Sequence, residues 1–322
     1  MRMSLSLARR CVQAGFVLFC LWVGWRFYGF YLWLTGALAV MVPRPPSVEA
    51  FLPISGLLGF KSFVLTGEFD PIHPAGLVIL LAAVGSALVF RRAFCGYVCP
   101  IGCLFDAVHR LSSRFLPCPT LPSWLDLGLR GLKYLVLLFF LGTIFGAMSL
   151  QAVQGFLHSP YNMLADVNML EFFLDPSSLF LVVLGILVVA SMFIPRFWCR
   201  YLCPYGALVE GVSWASPLAV HRRPDQCVHC GQCSRVCPEA IRVDIKERVS
   251  SPACMLCMRC VESCPAPNAL DIRAVSRWRV SGYWIPLGMV AVFLLAWITA
   301  LASGHWHTQV SPDMVRMLVE KG

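Results

Sequence analysis

Five long apolar segments leave this chain few ways to fold. They run from about Val12 to Val42, then Ala75–Phe90, Tyr134–Val153, Leu179–Pro195 and Tyr283–Ala302. A helix needs about 20 apolar residues to cross a bilayer, with about 17 as the lower limit. Segments two and four are short and are expected to borrow residues from their flanks. Hydrophobic residues fill 58% of the 322 positions and charged residues 13%, roughly half the charged share of a soluble protein. Such a chain cannot cover itself with polar surface, which excludes a water-soluble globule. The expected fold is mostly α, a polytopic membrane helix bundle of about five transmembrane helices. The run after Arg9 and Arg10 is too long for a cleaved signal peptide and lacks a small-residue cleavage site.

Basic residues orient the bundle. Excluding Arg26 inside the first segment, twenty-one Lys and Arg fall on one side of the five segments. Four (Arg44, Lys61, Arg316 and Lys321) fall on the other. The positive-inside rule puts the amino terminus and residues 196–282 in the cytoplasm and the carboxy-terminal tail in the periplasm of a bacterial inner membrane. The net charge of +9 follows from that topology, and no nucleic-acid partner is expected. Arg26 costs about 2.5–3.5 kcal/mol at the centre of a span. It either meets a polar group such as a quinone headgroup or snorkels to the interface.

The polar stretch between spans carries the most specific pattern. Cys227-x2-Cys230-x2-Cys233-x3-Cys237-Pro238 is followed by Cys254-x2-Cys257-x2-Cys260-x3-Cys264-Pro265. This is the bacterial ferredoxin run, in which three close thiolates hold three corners of a cubane and the fourth Cys ligates the other cluster. One [4Fe–4S] cluster is therefore expected on Cys227, Cys230, Cys233 and Cys264. The second is expected on Cys254, Cys257, Cys260 and Cys237. Zinc arms do not need a fourth Cys followed by Pro, and a reducing cytoplasm does not preserve disulfides. Three domains follow: a membrane domain with four spans at 1–220, an α+β double-cluster ferredoxin domain at 221–276, and the fifth span with a short tail at 277–322.

A second pair of motifs closes spans two and four. Phe94-Cys95-Gly96-Tyr97-Val98-Cys99-Pro100 and Trp198-Cys199-Arg200-Tyr201-Leu202-Cys203-Pro204 repeat at an offset of 104. The i, i+4 spacing puts each pair of cysteines on one helical face. Cys95, Cys99, Cys199 and Cys203 are thus expected to converge at the membrane surface. A third cluster or metal, a redox dithiol pair, and small apolar cysteines sealing helix ends all suit that spacing. Cys11, Cys20, Cys103 and Cys118 have no partner pattern and read as buried, inert thiols.

Together these motifs resemble the membrane-bound polyferredoxins of the NapH, MauN and NosR type, a group that includes the YccM-like electron transport proteins. The resemblance covers most of residues 75–275 and implies cytoplasmic clusters that pass electrons to or from the quinone pool or a respiratory partner. Some members of the group serve cofactor maturation. The flavin-attachment sequence of the NosR proteins is not present here. The resemblance implies an electron-transfer component more than a stand-alone enzyme. A maturation factor that reduces copper or another cofactor, or a redox sensor, are the alternatives.

The remaining signals are weaker. His73, His158, His305 and His307 fall on the outer side, with Met314 and Met317 near the last two. Such ligands suit copper, but solvated loop histidines are the plainer reading. Ser311–Glu320 reads as an amphipathic segment on the outer membrane face. Neither Gly-x-Gly-x-x-Gly nor a Walker sequence occurs, so no nucleotide is expected.

Overall fold

The computed structural model describes residues 4–116, 121–275 and 277–321; Arg2 and Cys118 lie outside them. The chain divides into two compact units. One comprises Met1–Val17, Ala83–Leu137 and Leu184–Val292, the other Leu18–Ala82, Leu138–Val183 and Phe293–Gly322. The protein is mostly helical. Among the described residues, three helical stretches are long and apolar enough to cross a membrane: Leu5–Leu34, Trp124–Ala147 and Trp284–Ala302. A fourth is reached if helices Ala165–Leu174 and Ser178–Phe193, bent by 80° at their junction, count as one span.

Several boundaries differ from the hydropathy reading, each for a local reason. The first helix is Leu5–Leu34, shifted toward the amino terminus from Val12–Val42, because Arg9 and Gln13 are buried rather than solvated. Gly36 then turns the chain at φ 77°. The third segment begins at Ser123, about ten residues early. Its Arg130 and Lys133, counted as a flank, are paired inside the protein: Lys133 donates to Glu210 and Arg130 to the Glu239 carbonyl at 2.7 Å. The second and fourth take little from their flanks, spanning Pro74–Phe90 and Ser178–Phe193. Shortly beyond their ends Arg91 and Arg196 adopt left-handed φ of 55° and 57°, a conformation that cannot continue a helix.

In the first unit a three-stranded antiparallel sheet, β1 (Leu218–Arg222), β2 (Leu270–Ala274) and β3 (Trp278–Val280), has the order β1-β2-β3. Val220 opposes Ile272, which opposes Val280. Both ferredoxin-type runs lie on the excursion between β1 and β2. Each ends in one short helix, Gln232–Arg235 and Arg259–Glu262, entered through left-handed Gly231 and Met258. His229 and Leu256 repeat that conformation two residues earlier, so the two Cys-x2-Cys turns share one backbone shape.

The second unit buries a charged cluster. Arg44 donates to Asp166 at 2.6 Å and to Glu49 at 2.9 Å. The His73 ring lies 3.5 Å from Glu49 through Nδ1 and 2.7 Å from the Asn162 carbonyl through Nε2. Glu49 also accepts the Gly76 N–H at 2.9 Å. Buried charges survive only when paired in this way, and the cluster ties residues 44–49, 73–76 and 162–166 together. Lys61 donates to the Ile144 and Met148 carbonyls at 2.7 and 2.5 Å, where a wider turn at Gly142–Ala147 frees helix carbonyls. The tail forms helix Pro312–Lys321. It lays Val315 against Trp33, Leu34 and Val167, so its apolar edge packs on protein.

His73 is thus engaged with charges, the His305 ring lies against Phe69 at 4.3 Å, tilted by 42°, and His158 caps its own helix at Gln154. Burial pushes the pKa of His73 down, but the hydrogen bond to Glu49, the Glu49 charge and the Asn162 carbonyl together raise it above its ordinary value near 6.5. A proton held more tightly in the folded state contributes stability fully below pH 6.5 and loses it as pH rises through the folded value. The melting temperature of detergent-solubilised protein should therefore exceed that of His73→Gln by more at pH 6 than at pH 8.5. A gap that is flat with pH would show that His73 does not titrate.

Candidate functional site

The four cysteine motifs of the sequence fall in the first unit, and its backbone explains their spelling. Cys99 and Cys203 are the N-caps of helices Pro100–Ser112 and Pro204–Val212, with Pro at the first helical position. Proline fits there because its missing N–H is not needed. The Cys203 sulfur accepts the Gly206 N–H at 3.2 Å. A sulfur at a helix N-terminus sits where the dipole favours negative charge. Each motif is therefore broken at its second Cys. Cys95 lies in helix Ala93–Tyr97 while Cys99 is extended, with ψ 118°, so the two cysteines do not share one continuous helical face.

The four thiols nonetheless lie within electrostatic reach of one another. Burial, then the charges of Cys95 and Cys199, pushes Cys99 well above the ordinary thiol value. Burial raises Cys199 to about 12, where Arg196 and Arg92 pull down and Cys203 and Cys95 push up. Cys203 is raised by burial and by Cys95 against the N–H of Gly206. Cys99, Cys199 and Cys203, each raised in this way, need a cation among them to become thiolates together.

The ferredoxin-type cysteines sort into two sets around two cavities. Cys237, Cys254, Cys257 and Cys260 line a space of about 410 Å³ walled by Val220, Ile241 and Met255. Cys227, Cys230, Cys233 and Cys264 line one of about 360 Å³ beside Val228 and Leu270. Cys237 thus leaves the first run for the second set, and Cys264 does the reverse. Burial and neighbouring thiols raise Cys237 to about 12 and Cys254 to about 11. Cys260 is raised further, by burial and then by Cys257, Cys254 and Cys237. Among the described residues no three His, Cys, Asp or Glu side chains stand close enough to hold a single metal ion. Each set surrounds a space, as a cubane with four iron corners requires.

The membrane-edge motif touches the second set directly. Tyr97 donates to the Leu256 carbonyl at 2.9 Å, and a Cβ on Gly96 would stand 3.4 Å from the Met255 side chain. The equivalent residues of the other repeat, Arg200 and Tyr201, instead bond Asp126 at 2.5 and 2.6 Å. The two repeats also reach across to each other. Arg92 donates to the Cys199 carbonyl and Arg196 to the Cys95 carbonyl. Ser112 donates to Met192 at 2.7 Å, and Ser216 to Val89 at 2.6 Å. Arg92 pairs with Glu210 at 3.0 Å. Asp106, the position equivalent to Glu210, is bound by Arg259 at 2.6 Å. Burial opposes ionisation of Asp106, but Arg259, Arg196, Arg9 and Arg110 hold it below the usual carboxylate value.

Sequence reasoning counted Arg92 and Arg196 only as orienting charges and passed over Asp106, Glu210, Ser112 and Ser216. The signal was available: each pair is separated by the same 104 residues as the cysteines. Of the unpatterned cysteines among the described residues, Cys11 is exposed and Cys20 and Cys103 are half-buried, so none of these three is a fully buried thiol. Arg26 is half-buried and has no hydrogen bond or ion pair among the described residues.

Comparison with known proteins agrees with this arrangement. A family described as "4Fe-4S binding domain" matches twice, at residues 72–119 and 176–223, again 104 apart. One described as "4Fe-4S dicluster domain" matches residues 219–265. YccM of Escherichia coli, whose name assigns it to electron transport, is 36% identical over 302 residues, 90% of this chain and 84% of YccM. The ferredoxin-type protein NapH of Escherichia coli is 28% identical over 189 residues, 55% of this chain and 61% of NapH. The methylamine utilization ferredoxin-type protein MauN of Paracoccus denitrificans is 31% identical over 167 residues, 52% of this chain and 55% of MauN. No solved structure matches. The chain belongs to the NapH/MauN-type 4Fe–4S ferredoxin-like membrane family, and its chemistry is iron–sulfur electron transfer.

Gly102 has a specific job in this packing, since a Cβ there would collide with the Cys95 carbonyl and the Arg196 guanidinium. Gly102→Ala should cost about 1–3 kcal/mol, the usual range for overpacking. Gly211, which faces open space, should tolerate alanine or gain from it. Thermal melts of the two variants check this; equal midpoints would mean the repeats do not interlock here.

Proposed function

We propose that this protein carries electrons between a cytoplasmic donor or acceptor and the bilayer of a bacterial inner membrane, where the quinone pool or a respiratory partner is its counterpart. Two [4Fe–4S] clusters are assigned, one to Cys227, Cys230, Cys233 and Cys264 and one to Cys254, Cys257, Cys260 and Cys237. Cys95, Cys99, Cys199 and Cys203 are assigned a third cluster at the membrane edge. The observation that carries the reading is the exchange of Cys237 and Cys264 between the two sets, which surrounds each cavity with thiols from both runs.

The donor chemistry fits the group. Each set offers four soft thiols, which suits iron–sulfur clusters. A bound cluster supplies one-electron transfer; the chain supplies ligation, burial and hydrogen bonds that set the potential. The contact of Gly96 and Tyr97 with Met255 and Leu256 keeps the membrane-edge thiols beside the enclosed set. The matched description of both repeats as 4Fe–4S-binding supports the third site, and the dicluster description supports the other two.

Five spans, with the amino terminus and residues 221–276 cytoplasmic and the tail periplasmic, remain the proposed topology, together with domain limits at 1–220 and 277–322. The distribution of Lys and Arg supports it.

Iron and acid-labile sulfide on anaerobically purified protein test the assignment, read with EPR. Wild type should hold about twelve irons and the Cys95/Cys99/Cys199/Cys203→Ser variant about eight, at four per cubane. About eight in both would remove the third cluster and leave those thiols for dithiol or copper chemistry, as in a maturation factor.

A further inference from the structure

We propose that Arg92 and Arg196 are a reciprocal pair of positioning cations for the Cys95/Cys99/Cys199/Cys203 quartet, each hydrogen-bonded to a cysteine carbonyl of the other repeat. The inference rests on the quartet's reading as a cluster site and adds what tunes it.

Three features of the packing carry it. The two arginines stand three residues before Cys95 and Cys199 and occupy the same place in the repeat. Each guanidinium is near the thiol of its own motif as well, but its hydrogen bond goes to the other repeat. Arg92 donates to the carbonyl of Cys199 and Arg196 to that of Cys95, so the contacts are exchanged. Both side chains are among the largest fully buried ones in the protein, where a charge is costly unless compensated.

Room for them is provided by the opposite repeat as well. A Cβ on Gly206 would lie 3.1 Å from the Arg92 guanidinium, and a Cβ on Gly102 would meet that of Arg196. These glycines stand three residues after Cys203 and Cys99, so both repeats leave a gap where the other's arginine enters. Arg92 also lies 3.0 and 3.4 Å from Glu210 and Glu239, and Arg196 contacts the Met255 sulfur.

The electrostatic consequence is direct. Thiolate sulfurs around a cluster carry net negative charge, and reduction adds one more. Two buried guanidiniums beside them favour the reduced form. Their effect is strong because burial limits screening. A brace that merely joined the repeats would require a hydrogen-bond donor and no charge.

The test compares Arg92→Gln, Arg196→Gln and the corresponding lysine variants in full-length protein. Iron per chain, melting temperature and the midpoint potential of the EPR signal abolished by the four Cys→Ser changes are read together. In each glutamine variant that signal should shift to lower potential. At the wild-type midpoint its reduced-to-oxidised ratio should fall at least about tenfold, the order expected for a unit charge several ångströms away. The signals of the other two quartets should stay in place, and lysine should restore most of the shift. An unmoved potential accompanied by a lower melting temperature would reduce the pair to a brace and overturn the proposal. If glutamine abolishes the signal, retention of it in the lysine variants upholds the proposal and its loss there overturns it. Wild type with only about eight irons would instead sink the cluster reading. Alkylation of Cys99 and Cys203 in the as-purified protein then decides: a several-fold slower rate in the glutamine variants supports the cations, and an unchanged rate rejects them.

Discussion

A guanidinium taken out of water must find its partners inside the protein, and the first unit is organised around that demand. Arg9, Arg91, Arg92 and Arg196 head its fully buried side chains. Each is answered by groups distant in sequence. Arg91 donates to the carbonyls of Leu218 and, at 2.7 Å, Ser251, which joins the end of the second apolar helix to the sheet and to the second cysteine run. Arg92 and Arg196 join the two repeats to each other. Arg9 stands 3.9 Å from Asp106, which Arg259 also binds. Leaving any of these charges unpaired would cost several kcal/mol, so the pairings specify which segments must meet.

Around that frame the cysteines are placed by local backbone rules. Paired left-handed residues at 229 and 231, and again at 256 and 258, curl each Cys-x2-Cys turn. Pro100 and Pro204 start helices whose N-caps are Cys99 and Cys203. The result is three groups of thiols; in the membrane-edge group and the Cys254/Cys257/Cys260/Cys237 group, burial and neighbouring thiols resist the ionisation of Cys99, Cys199 and Cys260. Groups of this kind are completed by the positive charge of what they bind.

Asymmetry between the repeats is as informative as their likeness. Gly96 is small where the second cysteine run packs on the first repeat, while Arg200 at the equivalent place reaches Asp126. The repeat with glycine can accept the 255–256 backbone and the repeat with arginine cannot. The Gly96/Arg200 difference thus coincides with which repeat faces the ferredoxin-type segment.

The sequence by itself determined the membrane character, the doubled ferredoxin run and the 104-residue repeat. These are properties of composition, spacing and period, which are local and survive without coordinates. Only the tertiary structure decided that Arg92 and Arg196 exchange repeats, that Lys133 and Arg130 are partnered rather than flanking, and that His73 belongs to a buried ion cluster with Arg44 and Glu49. It also decided that the tail helix packs on protein and that Cys95 and Cys99 are separated by a helix break. Hydropathy assigns every charge to water, because a single residue does not show whether a carboxylate more than a hundred positions away will be there to meet it. Burial with a distant partner is a property of the pair, and the pair exists only once the chain has folded.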